Sequence, residues 1–239
     1  FKQRVKGEFA SDESEGVIPL SWVEAAQERW KAWNDLGRPG EGLGTYILGV
    51  DTARYGKDKT VFAHRRGMCL ERLEPHAKQS IPITAGQLKP YAKEGAEVRI
   101  EMDSGLGASV YDILLSEDDP YEPQMNLIQI YMGAGTSVMD STGIFGFLNT
   151  RSAAWWNMRQ LLDPANGNDV MLCPSDMLLG DLTAPTYTIK YVRDRLTICV
   201  EPKSELRKAS RLGRSTDEGD AVIIAFFDDY DVGASGVLV

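Results

Sequence analysis

The chain has 239 residues, 43% of them apolar, and a formal net charge of −9. That length supports one large domain with appendages, and no apolar run approaches the ~20 residues needed to cross a bilayer. Three scattered cysteines (Cys69, Cys173, Cys199) without a CxxC pair argue against a disulfide framework or a zinc ribbon, and they fit a reducing, cytosolic setting.

The first residue is Phe1, not methionine, which suggests a piece of something longer. Residues 1–20 mix charge with Gly and Ser and read as a linker or arm. Ser21 is placed to cap a helix over 21–33, with Trp22, Ala26, Trp30 and Trp33 on its apolar face. The glycine-rich stretch 37–44 marks a boundary, giving an arm with a helix over 1–43, a main domain over 44–230 and a flexible tail over 231–239.

In the main domain three strand patterns follow at 45–51, 59–64 and 68–73, separated by turns at Gly56 and Gly67, as in an antiparallel meander. A helix at 84–94, a strand at 97–103, a helix at 107–115 and a strand at 126–131 come next. Residues 149–163 are helical, and Trp155, Trp156, Met158, Leu161 and Leu162 form a broad stripe that reads as core. Two alternating strands around Arg193-Asp194 make a hairpin over 186–200, and a last helix covers 216–228. This order of elements is that of an α/β, ribonuclease-H-like fold: a mixed sheet with its first three strands antiparallel, flanked by helices, with an added β-hairpin.

The acids stand out against this frame. Asp51 ends the first strand, Asp103 ends the fourth, and Asp217 and Asp220 open the last helix one turn apart. Each alone has an ordinary explanation, such as a turn residue or a helix N-terminal acid worth ~0.3–1 kcal/mol. Gathered in one cleft they repel one another, and bound cations relieve that cost. Carboxylates select hard cations such as magnesium or manganese, and a pair of these can hydrolyse a phosphodiester. Glu101 shares a strand face with Asp103 and reads as a supporting acid, whereas Asp58 reads as a turn residue.

Other catalytic patterns are excluded or unsupported. Two histidines, His64 and His76, leave no HExxH, and there is no GxSxG elbow. The net charge counts against nucleic acid, but residues 190–214 hold eight basic side chains against three acidic ones, just before Asp217 and Asp220.

The chain resembles the C-terminal nuclease domain of the large terminase subunit of tailed bacteriophages over about residues 4–228. The marks are Arg4-Val5-Lys6-Gly7-Glu8-Phe9, Ile18-Pro19-Leu20-Ser21-Trp22-Val23, Gly49-Val50-Asp51-Thr52-Ala53 with Asp58-Lys59-Thr60, and Glu101-Met102-Asp103-Ser104-Gly105-Leu106-Gly107. They continue with Phe147-Leu148-Asn149-Thr150-Arg151 leading into Trp155-Trp156, Pro185-Thr186-Tyr187, Glu201-Pro202-Lys203, and Ser215-Thr216-Asp217-Glu218-Gly219-Asp220-Ala221. The resemblance implies metal-dependent, largely sequence-independent cutting of double-stranded DNA concatemers during genome packaging in the host cytoplasm. It implies two divalent cations, magnesium or manganese, held by Asp51, Asp103, Asp217 and Asp220. Lys203, Arg207, Arg211 and Arg214 would meet the DNA backbone, and the terminase ATPase domain, the portal and the small terminase subunit would be partners. Thr216 stands where the family often has proline, and no GxxxxGKS/T phosphate loop occurs, so the family's upstream ATPase is not expected in this chain. Rival readings are a Holliday-junction resolvase-like nuclease, a sugar-kinase or actin-like ATPase, and a non-catalytic DNA- or portal-binding domain.

Overall fold

The computed structural model describes residues 16–53, 58–116 and 125–228. The arm expected ahead of residue 16, the turn at Gly56 and the tail from 231 lie outside them. The first helix, α1 (Leu20–Asp35), starts one residue before Ser21, with Pro19 at the cap position and no side-chain cap. Ser21 is therefore inside the helix, because Pro19 already holds the extended backbone that a helix start requires.

Strand β1 (Tyr46–Asp51) is buried at every position after Tyr46. Its run of apolar residues without polar alternation suits the centre of a sheet covered on both faces. Strand β2 (Lys59–Arg66) pairs antiparallel with β1, and β3 (Cys69–Ala77) pairs antiparallel with β2, forming the expected meander. Beyond Leu70 the outer side of β3 has no partner strand among the described residues, which is where Pro75, lacking an N–H, is tolerated.

Helix α2 (Ile81–Lys93) begins three residues earlier than expected, since Pro82 fits the first turn, where no N–H partner is needed. Strand β4 (Glu97–Glu101) stops two residues short of Asp103, and α3 (Leu106–Ser116) follows. Strand β5 (Asn126–Ile130) then pairs parallel with β4, which itself pairs parallel with β1.

The rest of the chain covers the sheet and adds a smaller one. Strand β6 (Gly146–Phe147), helix α4 (Thr150–Leu162), strand β7 (Met171–Leu172) and helix α5 (Asp176–Thr183) come next. The hairpin strands β8 (Tyr187–Val192) and β9 (Arg195–Val200) follow, then a one-turn helix α6 (Lys203–Leu206) and the last helix α7 (Asp217–Phe226). The main sheet runs β5-β4-β1-β2-β3-β7, and the small one β6-β9-β8. Helices α2 and α3 pack on one face of the main sheet around Leu48, Val50, Val98 and Ile100. The other face carries α1, α4, α5 and α7 around Trp155, Ile223 and Phe226.

Helix α7 lies directly on β1. A Cβ added to Gly49 would sit 2.2 Å from the Ala221 carbonyl oxygen and 2.7 Å from the Ala225 nitrogen, so only glycine permits that approach. This close seating brings the start of α7 to the end of β1.

Candidate active site

Alternation along β1 decides where its acid goes. Leu48 and Val50 face α2 and α3, so Gly49 and Asp51 face α7. Parallel pairing sets Val50 opposite Ile100, and the next residue on each strand, Asp51 and Glu101, therefore stand side by side on the α7 face. Burial pushes the Asp51 carboxyl well above the usual carboxylate range; Lys203 pulls it down, while Glu101 and Asp220 add to the rise.

Asp220 comes from the first turn of α7. Its Oδ1 accepts from Arg151 Nη1 at 2.5 Å and its Oδ2 from the Thr216 hydroxyl at 2.7 Å. Lys203 Nζ lies 3.0 Å from Asp220 Oδ2 and 3.3 Å from Asp51 Oδ2, so one ammonium bridges the two acids. Burial opposes ionisation of Asp220, but Arg151, Lys203 and Thr216 outweigh it and hold its carboxyl well below the ordinary range. Burial likewise opposes the Lys203 ammonium, and Asp220, Asp51 and Glu101 overcome it and raise its pKa. Asp51 and Asp220 are 2% and 3% exposed, and charges that deep persist only with such counter-ions.

The remaining acids named in the sequence are placed differently. Asp103 sits in the turn after β4, where its Oδ2 accepts the Gly133 N–H at 2.7 Å. Burial raises its pKa, with the Gly133 bond opposing and Glu101 adding. Asp217 accepts the Lys59 N–H at 2.7 Å and lines a separate pocket of about 190 Å³ with Asp58, Arg207 and Arg214. The structure thus draws Asp51, Glu101 and Asp220 together, sets Asp103 beyond them on the strand-end turn, and turns Asp217 toward β2.

The basic residues are mostly engaged within the protein. Lys203 is in the acid cluster, and Arg207 pairs with Asp58 at 2.6 Å. Arg211 holds Glu201 at 2.6 Å, and Arg214 holds the fully buried Asp181.

Two site residues had no role assigned from sequence. Arg151 was legible only as part of a shared motif; its Nε and Nη2 are buried without hydrogen-bond partners, and its guanidinium stacks 5.1 Å from the Trp155 ring. Asp181 lies on α5, whose apolar spacing at Leu178, Leu179 and Leu182 after Ser175 was the available signal.

A divalent cation suits this corner by donor chemistry. Asp51, Glu101 and Asp220 present hard oxygens, and the Lys203 ammonium already answers a local need for positive charge. Among the described residues no three acids, histidines or cysteines are grouped closely enough to hold an ion as they stand. The fit is therefore in the ligand type and in the charge that Lys203 balances.

A mixed sheet opening with an antiparallel meander, continuing through parallel strands and bearing acids at the strand ends, defines a ribonuclease-H-like α/β protein. Within that class the chain shares its fold with nuclease domains of large terminase subunits. It matches the nuclease domain of the large terminase subunit gp2 of bacterial virus Sf6 with a TM-score of 0.64 and 18% identity, over 88% of this chain and 98% of that one. Two structures of a lysine-to-alanine mutant of that Sf6 domain, one with manganese and beta-thujaplicinol and one with calcium, each match with a TM-score of 0.65 and 17% identity. Both cover 88% of this chain and 98% of theirs. No protein-family model and no curated protein matches the chain. Among the described residues no helix is long and apolar enough to cross a membrane.

Proposed function

We propose that this chain is a metal-dependent endonuclease that cuts double-stranded viral DNA concatemers during genome packaging, as the nuclease part of a large terminase subunit. One observation carries the reading: Asp51, Glu101 and Asp220 converge from two strands and a helix, the two aspartates buried, on the fold of terminase nuclease domains. The Sf6 domain's structures with manganese and with calcium support a divalent cation here.

Asp51, Glu101 and Asp220 would hold the metal, with Asp103 and Asp217 as outer acids. When bound, two magnesium or manganese ions supply an activated water and charge neutralisation at the leaving oxygen. The chain's own residues do the rest. Arg151 and Thr216 fix the orientation of Asp220 through both its oxygens. Lys203 holds Asp51 and Asp220 ready and can turn its ammonium to a scissile phosphate, where a fixed cation favours the transition state. Arg207, half exposed beside Asp58, and the neighbouring Arg211 and Arg214 offer phosphate contacts that position a duplex. Such a protein would act in the host cytoplasm with the terminase ATPase domain, the portal and the small subunit.

The test is nicking of supercoiled plasmid with magnesium, manganese or EDTA, beside Asp51→Asn, Asp220→Asn, Asp103→Asn and Asp217→Asn. Metal-dependent nicking that disappears in the first two variants is expected. Folded protein that nicks with no metal, or variants as active as the parent, would remove the reading. Lys203→Ala and Arg211→Ala test the basic residues; unchanged DNA binding and cleavage in both would withdraw their assignment.

A further inference from the structure

Helix α7 starts without the cap that its own sequence offers. The first N–H groups of any helix lack partners within it, and a threonine at the cap position ordinarily supplies one. Thr216 holds that position yet makes no capping bond, because its hydroxyl is turned to Asp220. The missing acceptor arrives from another helix: Asp181 Oδ2, on α5, takes the N–H groups of Glu218 and Gly219, both at 3.1 Å.

Asp181 is wholly buried, and its other oxygen holds Arg214. The same guanidinium donates to the Ser215 carbonyl at 2.9 Å, tying it to the chain just before α7. A Cβ on Gly219 would stand 2.8 Å from the Asp181 Cβ, so glycine at that place is what lets the carboxylate reach the backbone. At the far end, Arg65 Nη1 donates to the Ala225 carbonyl at 2.7 Å and Arg99 Nη1 to that of Phe227 at 2.8 Å. An acid at the N-terminus and cations at the C-terminus both oppose the helix dipole. The helix that carries Asp220 is thus gripped at each end by groups outside it.

We propose that Asp181 is a positioning residue of the nuclease site: by capping α7 from α5 it leaves the Thr216 hydroxyl to hold Asp220, and Arg214 keeps the cap in place. This rests on the nuclease reading above. It also gives Arg214 a task distinct from contacting DNA. Loss of the cap lets the first turn of α7 fray, and Asp220 with it, while the DNA-facing surface is unaltered.

The experiment compares the full chain with Asp181→Ala, Asp181→Asn and Arg214→Ala, measuring the manganese concentration that gives half-maximal nicking, the KM for plasmid, and hydrogen exchange at individual amides. Asp181→Ala and Arg214→Ala should raise the half-saturating manganese concentration about 10-fold, the scale on which partners orienting a metal-bound carboxylate act. In Asp181→Ala the KM for DNA should stay as it is, and Asp181→Asn, which keeps an acceptor oxygen, should recover most of the loss. Exchange at Glu218 and Gly219 should quicken in Asp181→Ala and not at the C-terminal amides of α7. If Asp181→Ala does not fold, Gly219→Ala, which forces the two elements apart, should shift the manganese dependence the same way. Unchanged manganese dependence and exchange in folded Asp181→Ala would overturn the proposal, and so would a change in its DNA KM alone. If the parent neither takes up manganese nor nicks, the nuclease reading falls, and Glu218 and Gly219 exchange alone judges the cap: no change in Asp181→Ala overturns it.

Discussion

Strand β1 separates two polar clusters, each with a buried member, that were assembled by opposite means. On the α7 face, Asp51, Glu101 and Asp220 are balanced by Lys203 and Arg151. On the other face His64, placed opposite Leu48 in the sheet, is wholly buried; its Nδ1 lies 2.6 Å from the Tyr46 hydroxyl and its Nε2 3.3 Å from Glu74. Tyr91 donates to Glu74 at 3.2 Å, and Arg72 to the same carboxylate at 2.9 Å. The second cluster centres on one carboxylate, Glu74, that Arg72 and Tyr91 already hold. The first gathers three acids from distant elements around two cations, and one of these, Lys203, spans both aspartates. Buried polar contacts alone are therefore not the mark of a site; carboxylates drawn together from distant elements around a shared cation are.

The largest expected effect comes from breaking the first cluster. Asp51→Asn or Asp220→Asn should lower metal-dependent nicking by about 10²–10³-fold or more, the scale of removing one fixed electrostatic contact from a catalytic centre. Circular dichroism should show the fold retained, and nicking at the parental rate would break the comparison at its root.

The second cluster should show itself in stability against pH. Burial, with Arg72 adding, lowers the His64 pKa from 6.5 to about 4, with Glu74 opposing. Between those values the unfolded chain binds a proton that the folded chain refuses. The contribution is thus complete above about pH 6.5 and is lost as pH falls toward 4, on the order of 3 kcal/mol in all. Urea unfolding from pH 7 to 4 should follow that slope in the parent, and His64→Gln should flatten it. Equal slopes in both would show that His64 carries no buried neutral state.

Gly49→Ala tests the seat that the two faces share. Its methyl group must displace the α7 backbone, which should cost ~1–3 kcal/mol in urea unfolding, the usual range for overpacking. Nicking should fall as well, because Asp220 moves with the helix; a stable, fully active variant would show that α7 tolerates displacement. Smallest of all, Arg207→Ala should cost no more than ~1 kcal/mol, as for other exposed ion pairs. If Arg207 touches a phosphate, the same change should reduce the salt slope of DNA binding by about one unit.

Much of the fold was legible because alternation and turn chemistry are local. The meander, the helices at Trp155 and at Ala221, and the hairpin around Arg193-Asp194 all followed from periodicity and stand where expected within a few residues. Helix α5 and the two-residue strands β6 and β7 were not found: the strands are too short to show a period, and the α5 signal at Ser175 was faint beside its proline and loop neighbours. Ser21 looked like a cap by residue type, yet Pro19 holds the position because backbone geometry outranks side-chain preference there. Asp51 and Asp220 were visible as acids at the ends of apolar runs. Their sharing of one cleft was expected; what was not legible is how near α7 can lie to β1, which sets how they meet.

The sequence by itself determined where the longer strands and helices lie, that acids stand at their ends, and that basic residues crowd just before the last helix. Those are properties of neighbours along the chain. Tertiary structure alone decided that Glu101 meets Asp51, through parallel register across two strands far apart in sequence. It alone turned Asp217 to Lys59 and enlisted Arg214 to hold Asp181. Side chains of the same type diverge there because each takes whichever partner the packing of distant elements brings within hydrogen-bonding reach, and no local pattern encodes that distance.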